Sequence, residues 1–447
     1  MDDVKSKKTY KIRDRDFFEV LKMIVFSVIG VAFFFFPIFL NKNIVSPVVY
    51  ISDFVYLKHA GFVYVCTILF ISLVLLKQII KKEKGVFVIA DILIKILSIL
   101  ILAFFLFKNE FILFKDLDLV QIMKESLFKI VVFFPISAVF LPFLVEYGLL
   151  NIFDGCFGGF TKRFFRTSGK NILIFAVFFF VDGFVGFYLV YRLYREGKLR
   201  KNECVNSILN YPILQIYLII YTANRLKLNF ITLIISYLFV FSVVNLILCR
   251  IYPINNIKKT FFVKNKYKEK TYRKNKFKMS VIMYLENKEK KRLFKYTFEY
   301  LNEAINIVAG MVPLLIFSFL FMDFIIRNQI AVGMVGHLYS NFLEILKMPY
   351  PDYIAKSISL GFLNQIYSIE VLNNQITFIS RLTVAIIVIC QGISFTTNII
   401  FIRRYMRFIG YKDILLVYLE KIVLIVLVVF LIYYFYMGFS VWVFCWL

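Results

Sequence analysis

The sequence predicts an all-α, polytopic membrane protein. Hydrophobic residues fill 61% of its 447 positions, its mean hydropathy is +0.78, and several apolar runs exceed the ~18 residues that mark a transmembrane helix. Segments of about ten residues alternating apolar and polar, which a membrane barrel needs, are not what the pattern holds.

The elements follow in order. Lys5, Lys7, Lys8, Lys11, Arg13 and Arg15 place the N-terminus in the cytoplasm. No small-residue cleavage site precedes the first apolar run, so the span over 18–40 is expected to be a retained anchor. The second span, 61–76, returns to Lys77, Lys81, Lys82 and Lys84. The third, 86–107, leads to Glu110, Asp116, Asp118 and Glu125, whose acidity suits an outer loop. Asp91 and Lys95 are spaced i,i+4 and read as a local ion pair on one helix face.

From residue 127 the grammar changes. A span over 127–150 carries Pro135, Pro142 and Glu146, and a basic, Phe-rich interfacial connector follows over 151–170. The apolar run 171–191 has basic residues at both ends: Lys162, Arg163, Arg166 and Lys170 before it, Arg192, Arg195, Lys198, Arg200 and Lys201 after it. Both ends therefore want the cytoplasmic face, and the run reads as a re-entrant hairpin turning near Val181, Asp182 and Gly183. The next run, 206–223, holds Asn210, Tyr211, Pro212 and Gln215. Proline there removes a helical hydrogen bond, so this helix is expected to break where it lines a cavity. A span over 230–248 closes this half.

The stretch 253–292 is strongly basic through Lys258, Lys259, Lys264, Lys266, Lys268, Lys270, Arg273, Lys274, Lys276 and Lys278. It reads as a cytoplasmic linker drawn to anionic headgroups of the bilayer. The net charge of +26 raises nucleic acid as the alternative partner, but cytoplasmic membrane loops are basic in any case.

The second half repeats the first upside down. It reads as a span over 304–325 with Pro313, an amphipathic segment over 329–347, and a break at Pro349, Tyr350 and Pro351. A polar-interrupted hairpin over 354–372 contains Asn364, Gln365 and Glu370; a broken helix over 376–401 contains Gln391, Ser394 and Thr397; a last span covers 421–435. The predicted organisation is a three-helix region (1–126), a first repeat (127–252), a basic linker (253–300) and a second repeat of inverted topology (301–447). Such inverted repeats build many secondary transporters. Polar residues serving only to bond neighbouring helices are the alternative.

Two stretches carry a resemblance. Leu141 to Leu149, which includes Glu146, and Val190 to Lys198 followed by Glu203, resemble the YjiH-like membrane proteins of the nucleoside recognition, or Gate, domain family. The resemblance covers roughly 127–435 and implies a core similar to that of concentrative nucleoside transporters, with a solute site where hairpin tips meet broken helices. Where that family carries a small, serine-rich tip, this chain has Phe178 to Gly186, and its Thr396 and Thr397 stand near a position where the family usually keeps a carboxylate.

No phosphate-binding loop, dinucleotide fingerprint or zinc-helix motif occurs, so neither an enzyme nor a bound cofactor is expected. Cys66, Cys156, Cys204, Cys249, Cys390 and Cys445 lack metal-ligand spacing, and His59 and His337 lack partners at such spacing. The expected function is a secondary transporter or permease for a polar, nucleoside-like solute in the cytoplasmic membrane. Asn210, Gln215, Asn364, Gln365, Gln391, Ser394 and Thr397 are the expected solute ligands, and Asp182 and Glu370 the ion- or proton-coupling carboxylates. The alternative is a non-transporting membrane factor that assembles with partners in envelope or spore development, and a homo-oligomer is compatible with either.

Overall fold

A computed structural model describes residues 14–40, 43–81, 85–106, 117–212, 215–263, 276–287, 293–330, 333, 336–371 and 377–444. Eight helical segments among them are long and apolar enough to cross a membrane: Phe17–Phe35, Lys58–Ile80, Val88–Leu106, Asp118–Val145, Phe230–Leu248, Phe294–Arg327, Phe378–Tyr405 and Tyr411–Phe435. The chain is thus a multi-pass, predominantly helical membrane protein. The cations expected to contact lipid between Lys264 and Lys274 lie outside the described residues.

The first three spans are peripheral. Only 22%, 17% and 22% of their residues are buried, against 72% of Phe378–Tyr405. Helix α1 (Asp14–Phe35) gives way ahead of Pro37 to a short antiparallel pair, β1 (Ile38–Leu40) and β2 (Asn43–Val45). Helix α2 (Pro47–Ile80) starts on its proline and kinks at His59, whose φ of −134° leaves the helical region. Its partner α3 (Val86–Leu106) holds the Asp91–Lys95 pair at 2.7 Å, to which Gln78 of α2 and Arg404 also bond. The local ion-pair reading of those two residues therefore holds, within a wider network.

The fourth span begins about ten residues earlier than its hydropathy suggests. It comprises α4 (Leu117–Phe128), a π-helical turn (Lys129–Phe133) and α5 (Phe134–Val145). A π turn inserts one extra residue per turn and rotates side chains off the regular stripe, here carrying Lys129 toward the bundle interior. Glu146 falls just past the end of this span. Helix α6 (Leu149–Phe164) follows, and then α7 (Lys170–Phe180) and α8 (Gly183–Arg195).

The chain reverses between α7 and α8. Lys170 Nζ, at the start of α7, donates to the carbonyl of Lys198, just beyond α8, at 2.9 Å, which two successive helices running the same way could not achieve. The turn is at Asp182, extended at φ −165°, as the glycine and the carboxylate in the sequence suggest. The two arms meet closely because Gly186 lies flat on Phe178, where a Cβ would approach the ring to 2.6 Å. The Phe178 ring also meets Phe187 edge to face at 5.3 Å.

Next come α9 (Lys201–Asn210) and α10 (Ile216–Arg225), between which Tyr211, Pro212 and Gln215 lie outside either helix, and then α11 (Phe230–Leu248) capped by Asn229. Helix α12 (Lys276–Asn287) packs on α6. The longest helix, α13 (Leu293–Arg327), extends well before residue 304 and packs along α5 and α3. Helix α14 (Gly336–Ile345) precedes α15 (Pro351–Leu363), which starts at the expected proline break.

A second reversal follows. Helix α16 (Gln365–Val371) folds back on α15 about Asn364, and Ser368 Oγ donates to the Ser357 carbonyl at 2.9 Å. Helix α17 (Phe378–Gln391) stops at Gly392 to Ser394, resumes as a π turn (Phe395–Ile399) and continues as α18 (Ile400–Tyr405). Helix α19 (Tyr411–Phe444) packs against α11 and α17. It begins ten residues before the span read from the sequence, which places Lys421 inside it.

Candidate functional site

Both reversals use the same local device. At the first, Asp182 Oδ1 accepts from Phe184 N at 2.7 Å; at the second, Asn364 Oδ1 accepts from Ile366 N at 3.0 Å and Tyr367 N at 3.2 Å. Each extended Asx residue thereby satisfies the orphan N–H groups that open the next helix. Each also reaches an interrupted helix. Gln215 Nε2 donates to Asp182 Oδ2 at 3.0 Å, and Asn364 Nδ2 donates to Thr396 Oγ1 at 3.0 Å.

The two tips and the two interruptions share one cavity of about 70 Å³. Of the residues singled out in the sequence, Asp182, Gln215, Asn364, Gln365, Ser394 and Thr397 line it, together with Lys129, Pro212, Gly392 and Asn398. Gln365 Nε2 is bonded to the Val388 carbonyl at 3.0 Å, and Ser394 and Thr397 share a hydroxyl bond of 2.6 Å. The Oε1 atom of Gln215 is buried and has no hydrogen-bond partner among the described residues, an acceptor at the cavity wall. Leaving such an acceptor unpaired costs about 1–3 kcal/mol, which water or a ligand donor would relieve.

Asn210, Gln391 and Glu370 fall outside this lining. Asn210 turns back along its own helix, its amide donating to Asn206 Oδ1 at 2.5 Å. The Gln391 amide nitrogen is bonded between helices, to the Ile358 carbonyl at 2.8 Å and the Tyr418 hydroxyl. Glu370 sits at the far end of α16, bonded to the Tyr221 hydroxyl and 3.7 Å from Arg225 Nε. Spacing along a helix cannot tell the face turned to the cavity from the face turned to a neighbour.

Two lysines belong to the centre although sequence reasoning passed over them. Lys129 faces the cavity from the π turn, with Nζ 5.4 Å from the Tyr217 ring centre. Lys129 and Asp182 both line the cavity, and no direct ion pair joins them among the described residues. Lys421 is 1% exposed and donates from Nζ to the Asn210 carbonyl at 3.1 Å. It caps the C-terminal end of α9, where the interruption has freed carbonyls. In the sequence Lys421 reads as the start of the last span, because a charge ends an apolar run, and Lys129 stands inside the span over 127–150.

The two stretches that carried the family resemblance meet at one end of the bundle. Lys198 Nζ contacts both Glu146 oxygens at 3.1 and 2.9 Å, and the Tyr300 hydroxyl donates to Glu146 Oε1 at 2.6 Å. Arg192 pairs with Glu303 at 2.7 Å and Glu196 at 2.8 Å, and lies over the Tyr300 ring at 3.4 Å. Burial pushes the Glu146 carboxyl up, but the Lys198 ammonium and the Tyr300 hydroxyl outweigh it and hold the group below its ordinary value. A carboxylate depressed in this way contributes stability above its unfolded pKa and loses it as the pH falls through the folded value. Melting temperature should therefore drop as the pH is lowered below about 4. Glu146→Gln should cost roughly 3 kcal/mol at neutral pH and flatten that acid limb in a thermal melt; an unchanged acid limb would remove Glu146 from the account.

Among the described residues no cluster of His, Cys, Asp and Glu could hold a metal ion. Cys66, Cys156, Cys204, Cys249 and Cys390 are free thiols, and Cys445 lies outside the described residues. No protein-family model, no curated protein and no solved structure matches the chain.

Proposed function

We propose that the chain is a secondary transporter or permease for a small polar organic solute, bound in the cavity between the two helix reversals. One observation carries most of this reading: four interruptions of helical backbone meet at a single cavity. Freed N–H and C=O groups are tolerated at membrane depth where they line such a space. In this reading 127–252 and 301–447 are repeats of inverted topology, the two reversals are re-entrant hairpins, and the N-terminus is cytoplasmic. The shared Asx caps at Asp182 and Asn364, each tied to the interrupted helix of its own half, support the repeat.

The opposed charges of Lys129 and Asp182 balance, which suits an uncharged or zwitterionic solute presenting hydrogen-bond donors and acceptors. A nucleoside-like solute rests on the resemblance to the Gate family alone. The cavity of about 70 Å³ is far below the ~300 Å³ at which ligand pockets begin, so a solute of that size enters only when the tips part. Asp182 is the carboxylate proposed to take a coupling ion or proton; Glu370, held by Tyr221 and Arg225, is left out of that role. The basic linker is assigned to anionic lipid contact. A non-transporting membrane factor is the second reading, favoured by one observation: Lys129 already supplies Asp182 with a counter-charge from within the chain.

The test is uptake. In proteoliposomes offered a panel of labelled nucleosides and other neutral polar solutes, the parent should accumulate at least one, and that solute should raise its melting temperature. Asp182→Asn should keep the fold, lower uptake about tenfold or more, and change its sodium or pH dependence. If no solute in the panel enters faster than through protein-free liposomes, the second reading is preferred.

A further inference from the structure

A second and larger cavity, about 460 Å³, lies at the other end of α9. Its lining includes Lys162, Arg166, Arg200 and Lys259, with the amides of Asn202 and Asn206. It shares no residue with the central cavity. Along this stretch of chain their nearest lining residues are Asn206 and Pro212.

The one carboxylate in this lining is Glu203, and both of its oxygens accept backbone N–H bonds, from Ser168 at 2.8 Å and Arg200 at 3.0 Å. Among the described residues four cations and one carboxylate line the cavity. Arg166 is held in place by its bond to Asn255 Oδ1 at 2.6 Å. Helix α9 also begins here, so its positive dipole end adds to the same field. The volume falls within the roughly 300–1,000 Å³ typical of small-molecule sites. Guanidinium groups match phosphate oxygens in pairs, and ammonium groups and amides supply further donors.

We infer that this cavity is a binding site for a phosphomonoester dianion. The same chemistry is offered by a soluble phosphorylated metabolite and by the headgroup of a phosphatidic acid. The site is independent of the transport reading, since it requires neither the central cavity nor movement of the hairpins.

The full-length protein in nanodiscs of phosphatidylcholine alone would be titrated with glycerol 3-phosphate, and binding followed by calorimetry. In a second arm, nanodiscs doped equally with phosphatidic acid and phosphatidylglycerol would be examined by native mass spectrometry for the lipid retained. Saturable binding of glycerol 3-phosphate, or retention of phosphatidic acid over the phosphodiester lipid, is expected. Arg166→Gln and Lys259→Gln should each weaken it about tenfold, whereas Lys356→Gln, an exposed cation on α15, should not. Lys259 is itself exposed, so its replacement tests the site even if the Arg166 variant fails to fold. Absence of binding in both arms, or binding undiminished in the Lys259 variant, would overturn the inference.

Discussion

Gly392→Ala should leave little correctly folded protein. At φ +71° this position is left-handed, which costs a non-glycine residue about 1 kcal/mol. The larger obstacle is contact: a Cβ there would penetrate the carbonyl oxygen of Pro212 and lie 2.8 Å from Lys421 Nζ. The two helix interruptions touch through this glycine, backbone against backbone, so no side-chain rotation relieves the overlap. Overpacking of buried positions costs typically 1–3 kcal/mol, and a rigid carbonyl beside proline belongs at the upper end. Against a total stability of about 5–15 kcal/mol, the sum is expected to lower the melting temperature sharply and broaden the size-exclusion profile. Gly183→Ala is the matched control, because the nearest atom to its Cβ would be Gln215 Nε2 at an ordinary 3.8 Å. Equal melting temperatures for the two variants would mean that the interruptions do not meet as described.

Hydropathy and charge flanks made much of this arrangement legible. The reversal at Asp182, the Pro212 interruption, the proline start of α15 and the bounds of α11 all follow from apolar runs broken by glycine, proline or a short polar residue. These are local signals, and the backbone obeys them wherever no better tertiary partner exists. The extents of the fourth, sixth and last spans did not follow. A buried lysine ends an apolar window as effectively as a loop does, so Lys421 marked the start of the last span, while Lys129 stood unremarked inside the fourth. Their burial is tolerable only because of distant partners, the charge of Asp182 for one and the Asn210 carbonyl for the other, and neither partner is visible along the chain.

The candidate site was legible in the same uneven way. Residues at the interruptions themselves, Asp182, Gln215, Asn364 and Ser394, arrive at the cavity because the breaks do. Asn210 and Gln391 each lie within a turn of an interruption yet still inside regular helix, and there the helical phase turned them toward neighbouring elements. Glu370 stands nearly two turns beyond the second tip, too far along α16 to reach back. Proximity to a break in the sequence was thus a good guide for residues at the break itself or in the first turn after it, where Gln365 and Thr397 also reach the cavity.

Lys421→Met is the variant expected to separate function from stability most widely. A nearly fully buried ammonium pays a desolvation cost of several kcal/mol, and among the described residues its bonded partner is a carbonyl, that of Asn210. Methionine preserves much of the length and bulk of the side chain while removing the charge. What is lost is one charge-assisted hydrogen bond to the end of α9, and leaving that acceptor unmet costs about 1–3 kcal/mol. The two effects oppose each other, so the melting temperature should stay within a few degrees of the parent or rise. Function should respond differently. Without the ammonium, the freed carbonyls beside the Pro212 interruption become open to water or to a cation, and the contact of Gly392 with Pro212 loses its neighbour on one side. Uptake of any transported solute should fall about tenfold or more and change in its dependence on sodium or potassium. Lys421→Arg, which keeps the charge but adds bulk where a Gly392 Cβ would already be 2.8 Å from Nζ, should instead lower stability. A Lys421→Met protein that melts far below the parent would assign this lysine to the fold, and one that transports like the parent at every cation concentration would exclude it from the site.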